Sequence, residues 1–453
     1  MGYWKDVIER LGGGNPAAYE GHYVCADCFE DEGLKGLIEV EATAKKCTFC
    51  GSTSDEPIAA PFVEILLYIK DALDREYDVA ENKLPYESAE GGYIGTVWTT
   101  EEVLESHLGD LPNDEEGALI EALCDGLGYR DWCRARPFSL TDDERLRFSW
   151  EEFCYLVKHR RHYFFLNEQH ESTEVYGPLA LLEALATWCK RFGLIETLPA
   201  GSLLYRARFQ KPGELLSTAA DLGPPPEEKA TISNRMSPPG IVMFYVSDNP
   251  QTALRETAKS PATFAVGHFR TLRDAKILDL AGVPPVLSIF ESIPDSLEYD
   301  PRPPAIFLNY FATELSKPIA RDDRVHVEYI PTQVITEYLR TEFLHEGERI
   351  DGIRYCSARH TDHRSLALFA TQDDLVDENR AATTDFSSSS LPWIELTNHE
   401  QRHVLADDLD VWNAKRHRRS NGCGRPIRLP LLTEAPELDR YPASGGNPSG
   451  FTT

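Results

Sequence analysis

Residues 234–257 read NRMSPPGIVMFYVSDNPQTALRET. The stretch passes from a Pro-rich loop carrying Arg235 into the apolar run IVMFYV, which has the length and composition of one buried strand. Asn249-Pro250 then predicts a helix start, because Asn caps free helical N–H groups and Pro suits the first helical position. Glu256 falls about two turns into that helix. Loop, strand and capped helix in such close succession predict an α+β domain, with Arg235, Tyr245 and Glu256 spaced so that one cleft can hold all three.

The flanking sequence extends this domain over residues 198–400. SLLYRARF, residues 202–209, alternates as a strand does, with Tyr205 and Phe209 on one face and Leu204, Arg206 and Arg208 on the other. Pro-rich breaks at LGPPPEEK, MSPPG, AGVPPV and DPRPPA mark turns. VHVEYIPTQVITEYLR, residues 325–340, is read as a strand running into a helix, IDGIRYCSARH, residues 350–360, as a strand ending at Ser357, and SLALFA, residues 365–370, as a further strand. Together these predict a mixed β core.

Upstream, residues 55–197 read as a helical bundle. In PFVEILLYIKDALDREY the positions Phe62, Ile65, Leu66, Ile69 and Leu73 fall on one helical face. TDDERLRFSWEEFCYLVKHRRHYFF begins with acids and ends with bases, as the helix dipole favours, and Pro178 sits near the first turn of YGPLALLEALATWCKRFGL. The cluster KHRRH, Lys158 to His162, is read as a solvated helix end. Helical nucleases of the HEPN superfamily carry an Arg followed by His after four to six residues, and no pair between 55 and 197 meets that spacing, so RNA cleavage is not expected.

The first 54 residues carry Cys25-x-x-Cys28 and Cys47-x-x-Cys50. A two-residue gap lets both thiolates of a pair face one ion, and the spacer between the pairs is ordinary for a four-Cys Zn²⁺ site. Sulfur at all four positions leaves no place for water, which predicts a structural Zn²⁺. His22, close by, is read as a surface residue and not as a ligand.

At 453 residues, with 42% hydrophobic and 26% charged residues, the chain has ordinary globular composition and length for several domains. The net charge of −28 excludes nonspecific attraction to nucleic acid or an anionic membrane, so an anionic ligand needs a local cluster of Arg. The first residues, MGYWKDVIER, lack the features of a secretion signal, and no apolar run is long enough to span a membrane, so a cytoplasmic protein is expected. VDENRAATTDFSSSSL, residues 376–391, reads as a polar, Ser-rich excursion before PWIEL, the expected last strand, and residues 401–453 read as a C-terminal extension, in which EQRHVLADDLDVWNAKRHRR suggests a short helix and ASGGNPSGFTT disorder.

The ordered blocks LYRAR, NRMSPPGIVMFYVSDNPQTALRE, YIPTQ, DGIRYCS and LALF resemble the RES domain, over roughly residues 196–400. VCADCFEDEGL, CTFCGS and the helices after them resemble the zinc-containing HEPN-like segment often fused ahead of RES domains. One departure lies in the loop, where the family more often has Gly before the Arg and an aromatic residue after it. The resemblance implies a fold similar to ADP-ribosyltransferase toxins and cleavage of the nicotinamide–ribose bond of NAD⁺, with phosphate or water as acceptor. It further implies a toxin or defence effector that drains NAD⁺, held in check by an antitoxin or regulatory protein. By motif position it implies Glu256, Arg235 and Tyr245 as catalytic residues, and Arg206, Arg235, Tyr245 and Ser357 as NAD⁺-binding residues.

Elementary chemistry gives these five residues coherent roles. Loss of nicotinamide leaves an oxocarbenium ion on ribose, which a carboxylate such as Glu256 stabilises. Nicotinamide departs neutral, so no general acid is needed. Tyr245 offers a stacking face, Arg206 and Arg235 offer forks for pyrophosphate or phosphate, and Ser357 one orienting hydrogen bond. Each residue also has a plain structural reading: Arg235 as a surface charge, Tyr245 as core, Glu256 pairing with Lys259, Ser357 in a turn and Arg206 beside an acid. Tyr329 and Gln333 are either cleft-lining or packing residues. Transfer of ADP-ribose to a macromolecule, or a non-catalytic binding module, are the alternatives, and the oligomeric state stays open.

Overall fold

A computed structural model describes residues 2–89, 91–114, 116–165, 174–293, 297–316, 324–357, 359–360, 363–378 and 391–418. Two compact units result, one formed by residues up to Ser139 with the segment Leu287–Pro294, the other by Leu140–Val286 and Asp295–Ile427. No helix among the described residues is long and apolar enough to cross a membrane.

The first unit is built around the helix Phe62–Leu73, whose predicted apolar face is buried along with Val63, Leu67 and Ala72. Burial nearly all round explains why this helix is so apolar. Helices Thr100–Leu108 and Ala118–Leu127 pack with it in one core, the former started by a capping box between Thr99 and Glu102. Residues 57–134 are not wholly helical. Strands Tyr77–Val79, Trp98–Thr99 and Asp131–Arg134 form a small sheet, too short to register as alternation in sequence. The segment from Leu287 completes this core: Phe290 is fully buried, and its carbonyl accepts from Tyr68 Oη at 2.7 Å. Gly33 permits the approach, since a Cβ there would lie 2.6 Å from the Phe290 oxygen.

The second unit centres on a nine-stranded mixed sheet. Its strands are β1 (Ile195–Leu198), β2 (Leu203–Phe209), β3 (Phe244–Ser247), β4 (Ala262–Thr271), β5 (Ala275–Asp279), β6 (Gly352–Cys356), β7 (Arg364–Leu368), β8 (Leu375–Asp377) and β9 (Ile394–Val404). The order is β8-β9-β4-β2-β3-β7-β6-β5-β1, parallel only at β5/β6 and β8/β9. Helices α1 (Asp142–His159), α2 (Pro178–Arg191), α3 (Pro250–Thr257), α4 (Arg302–Ser316), α5 (Ile330–Thr341) and α6 (Ala406–Arg418) accompany it. Trp150 and Phe153 of α1 and Leu182 and Leu185 of α2 share a core with Phe307, Phe311 and Ile353. These two helices, read from sequence within 55–197, thus pack with the sheet, because periodicity shows that a helix has an apolar face but not which core it meets.

Three element readings are corrected. Val325–Glu328 is one helical turn and not a strand, since so short an alternation fits either state. The strand in IVMFYV is confined to Phe244–Ser247. The last strand runs past PWIEL to Val404, because β9 pairs with β4 from Thr271↔Ile394 to Ala262↔Val404 and backbone bonds carry its polar half. The helix expected next is present as α6. The disorder expected at ASGGNPSGFTT and most of the Ser-rich stretch before β9 lie outside the described residues.

Candidate functional site

β2 and β3 are neighbours in the sheet but share a single register pair, Ser247↔Tyr205, whereas β3 pairs with β7 over four residues. The sheet therefore opens between β2 and β3. Arg206 directly follows Tyr205 and Tyr245 lies two residues before Ser247, so both stand where the strands have parted.

Arg206 is held above the Phe244 ring, its Cζ 5.4 Å from the centroid, and Phe244 packs edge-on against Phe269. Gly267, opposite Arg206 on β4, leaves room for this stack, since a Cβ there would come within 2.7 Å of the Phe269 ring. The Nη1 of Arg206 is buried without a hydrogen-bond partner among the described residues. Burial, with repulsion from Arg208, pulls its pKa down to about 9. A buried guanidinium with an unmet donor is an anion site in chemical character.

Arg235 lies in the loop ahead of β3, and that loop is clamped by α5. Thr332 Oγ1 donates to the Arg235 carbonyl at 2.5 Å, and Gln333 Nε2 donates to Ser233 Oγ at 2.9 Å and to the Asn234 carbonyl at 2.7 Å. The guanidinium donates to the carbonyl of Leu315 at the end of α4. Burial lowers its pKa, opposed by Tyr355, Tyr329, Glu256 and Tyr245, which places all four around it. Tyr245 Oη is 3.0 Å from Ser237 Oγ in the same loop, and burial pushes its phenol up to about 12, so it stays neutral at physiological pH.

Glu256 is the penultimate residue of α3, whose start is fixed by Asn249 Oδ1 accepting from the N–H groups of Gln251 at 2.8 Å and Thr252 at 3.3 Å. Ser357, just beyond β6, donates its hydroxyl to Glu256 Oε1 at 2.5 Å. The same Oγ accepts from the N–H groups of His360 at 3.1 Å and Arg359 at 3.3 Å, which directs the hydroxyl proton at the carboxylate. Thr252 Oγ1 lies 2.7 Å from His360 Nδ1, tying α3 to the same turn.

In the first unit the sulfurs of Cys25, Cys28, Cys47 and Cys50 converge, with Cys25–Cys28 and Cys28–Cys47 at 3.7 Å and Cys25–Cys50 at 3.5 Å. Bonds of about 2.3 Å to a tetrahedral Zn²⁺ would put sulfurs about 3.8 Å apart, whereas a disulfide needs about 2.05 Å. The four thiols therefore fit one Zn²⁺. His22 is not a plain surface residue: it is half-buried against the Tyr19 and Phe49 rings, which supply the packing that sequence alone did not reveal.

The HEPN/RES N-terminal domain 1 family matches residues 40–171, and the RES domain family matches residues 203–390. This is a RES-domain protein with a HEPN/RES N-terminal region. No curated protein and no solved structure matches the chain. A RES domain is consistent with an enzyme acting on NAD⁺.

Within the RES domain, Tyr245 stands close enough to feel the charges of both Arg206 and Arg235, and Glu256 joins Ser357 directly. Gln333 serves the Arg235 loop, and Tyr329 is buried near Arg235. Sequence reading missed Tyr355, whose phenol is pushed up by burial and then by the Glu256 charge. Its signal was present, since a strand read as ending at Ser357 puts Tyr355, two residues earlier, on the same face as Ser357. Ser237 was missed too, although it lies two residues from Arg235.

Proposed function

We propose that this chain cleaves the nicotinamide–ribose bond of NAD⁺ and passes the ADP-ribosyl group to inorganic phosphate or water. The observation that carries the reading is the Ser357-oriented Glu256 carboxylate close to Arg235 and Tyr355. Ser357 occupies Oε1, and Oε2 has no hydrogen-bond partner among the described residues. Glu256 faces the ribose and stabilises positive charge as the C–N bond breaks and its electron pair leaves with neutral nicotinamide. Tyr245 packs on the pyridinium, Arg206 takes the pyrophosphate into its unmet donor, and Arg235 takes the pyrophosphate or the incoming phosphate. Acceptor oxygen then bonds the anomeric carbon, giving ADP-ribose-1″-phosphate from an ionised phosphate oxygen, or ADP-ribose from water, which loses a proton to solvent. We assign the four cysteines to a structural Zn²⁺, and the biological role to an NAD⁺-depleting toxin or defence effector in the cytoplasm, restrained by a partner protein.

The test is nicotinamide release from NAD⁺ by the purified chain, with products analysed in phosphate and in phosphate-free buffer. Glu256→Gln should lower the rate about 10²–10³-fold, the usual loss of one preorganised charge-stabilising group. Equal rates in wild type and Glu256→Gln would sink the reading. Label transferred from NAD⁺ to a macromolecule would replace it with ADP-ribosyl transfer.

A further inference from the structure

A cavity of about 500 Å³ is lined by Arg255 in the last turn of α3 and Lys259 just after it, by Arg359 beyond β6, and by Asp410 and Trp412 of α6. We propose that it is an effector site, separate from the cleft at Glu256, which binds a nucleoside phosphate.

The charge of the cavity is the first reason. Two arginines, Arg255 and Arg359, line it in a chain of net charge −28, where arginines elsewhere in the same unit have carboxylate partners, as Arg273 has in Asp351 and Arg354 in Asp279. Arg255 has no such partner among the described residues, and its Nε is buried without any hydrogen-bond acceptor. An unmet buried donor costs about 1–3 kcal/mol, and a phosphate oxygen is the acceptor that best offsets it. Trp412 supplies the second element of recognition. The Arg255 guanidinium lies over one face of its indole, Cζ 5.2 Å from the ring centroid, and the indole stays partly exposed, so a base can stack on the side that Arg255 leaves open while the fork takes its phosphate. The volume falls within the range of small-molecule sites, about 300–1,000 Å³.

The position gives the site a consequence. Arg255 adjoins Glu256 on α3, and the Arg359 N–H donates to Ser357 Oγ. A ligand held by both arginines therefore grips the two sides of the Ser357–Glu256 hydrogen bond. Trp412 and Asp410 lie beyond the RES match at 203–390, so this cavity depends on the C-terminal extension.

The experiment titrates ADP by calorimetry into the full chain carrying Arg206→Met, which removes a fork from the proposed NAD⁺ cleft. ADP should still bind. Adding Arg255→Met should then raise Kd about ten-fold or more, as loss of a charged hydrogen bond does. Lys259→Gln, at an exposed position, should weaken binding by a smaller factor without shifting the thermal unfolding midpoint, which separates loss of the site from loss of the fold. Adenosine should bind more weakly than ADP. Binding abolished by Arg206→Met alone, binding untouched by Arg255→Met and Lys259→Gln, or equal affinity for adenosine and ADP would each overturn the proposal. Nicotinamide release is measured separately, so a chain that binds ADP through Arg255 but spares NAD⁺ refutes the proposed reaction and supports this site.

Discussion

In the four-cysteine site each thiol lies against another thiol, whereas the region where β2 and β3 part leaves the Nη1 of Arg206 buried with no partner among the described residues. The first arrangement is closed. Its donors converge on a point and leave nothing for a substrate, so its contribution is to hold the strand Tyr23–Cys25 and the turn after it in place. The second is open, with a guanidinium desolvated, a carboxylate half-engaged and a sheet parted between β2 and β3. A region whose polar groups satisfy one another stabilises the fold, and a region that leaves them unmet awaits a ligand.

Removal of metal should give the largest effect. Binding of structural Zn²⁺ in small domains is worth about 10–16 kcal/mol and is largely folding free energy. Cys47→Ser, or a strong chelator, should therefore disorder the first unit, read as loss of bound zinc together with rapid proteolysis before Ser139. A chain that keeps its proteolytic resistance after complete metal removal would erase the contrast between a closed, stabilising site and an open one.

Arg206→Met should act in opposite directions on stability and function. Removing an uncompensated buried cation should stabilise the unliganded chain by about 1–3 kcal/mol in denaturant unfolding, while nicotinamide release falls through loss of the pyrophosphate fork. The sign of the stability change is the informative quantity. Loss of stability together with loss of activity would mean that Arg206 is satisfied within the fold, as the thiols are.

The two regions also differ in how much of them could be read from residues alone. Cys25, Cys28, Cys47 and Cys50 announce themselves because the constraint is local: two residues between ligands is a property of the chain itself. Asn249-Pro250 is local in the same way, and α3 begins there. The Ser357–Glu256 bond joins residues 101 apart, so the order of blocks suggested it but no spacing could. The opening between β2 and β3, the recruitment of α1 and α2 to the sheet, and the place of Phe290 in the first core all depend on pairing and packing across long separations, which periodicity does not encode.

The smallest effect sharpens the contrast most. The thiol site takes its geometry from the ligands, but the position of Glu256 relative to Ser357 depends on the register of α3, a helix of eight residues with little length to average out a frayed start. Asn249 sets that start through two backbone N–H groups. Asn249→Ala should cost about 1 kcal/mol of stability, the ordinary value of a side-chain cap. At a temperature where wild type and variant are both fully folded, nicotinamide release should nevertheless drop several-fold, because a small shift at the far end of α3 misaligns the carboxylate. Substituting Asn249 by Asp keeps the capping oxygen and should restore both quantities. Stability lost with activity intact would show that the Ser357 hydrogen bond alone positions Glu256, and that the open site is as self-determined as the closed one.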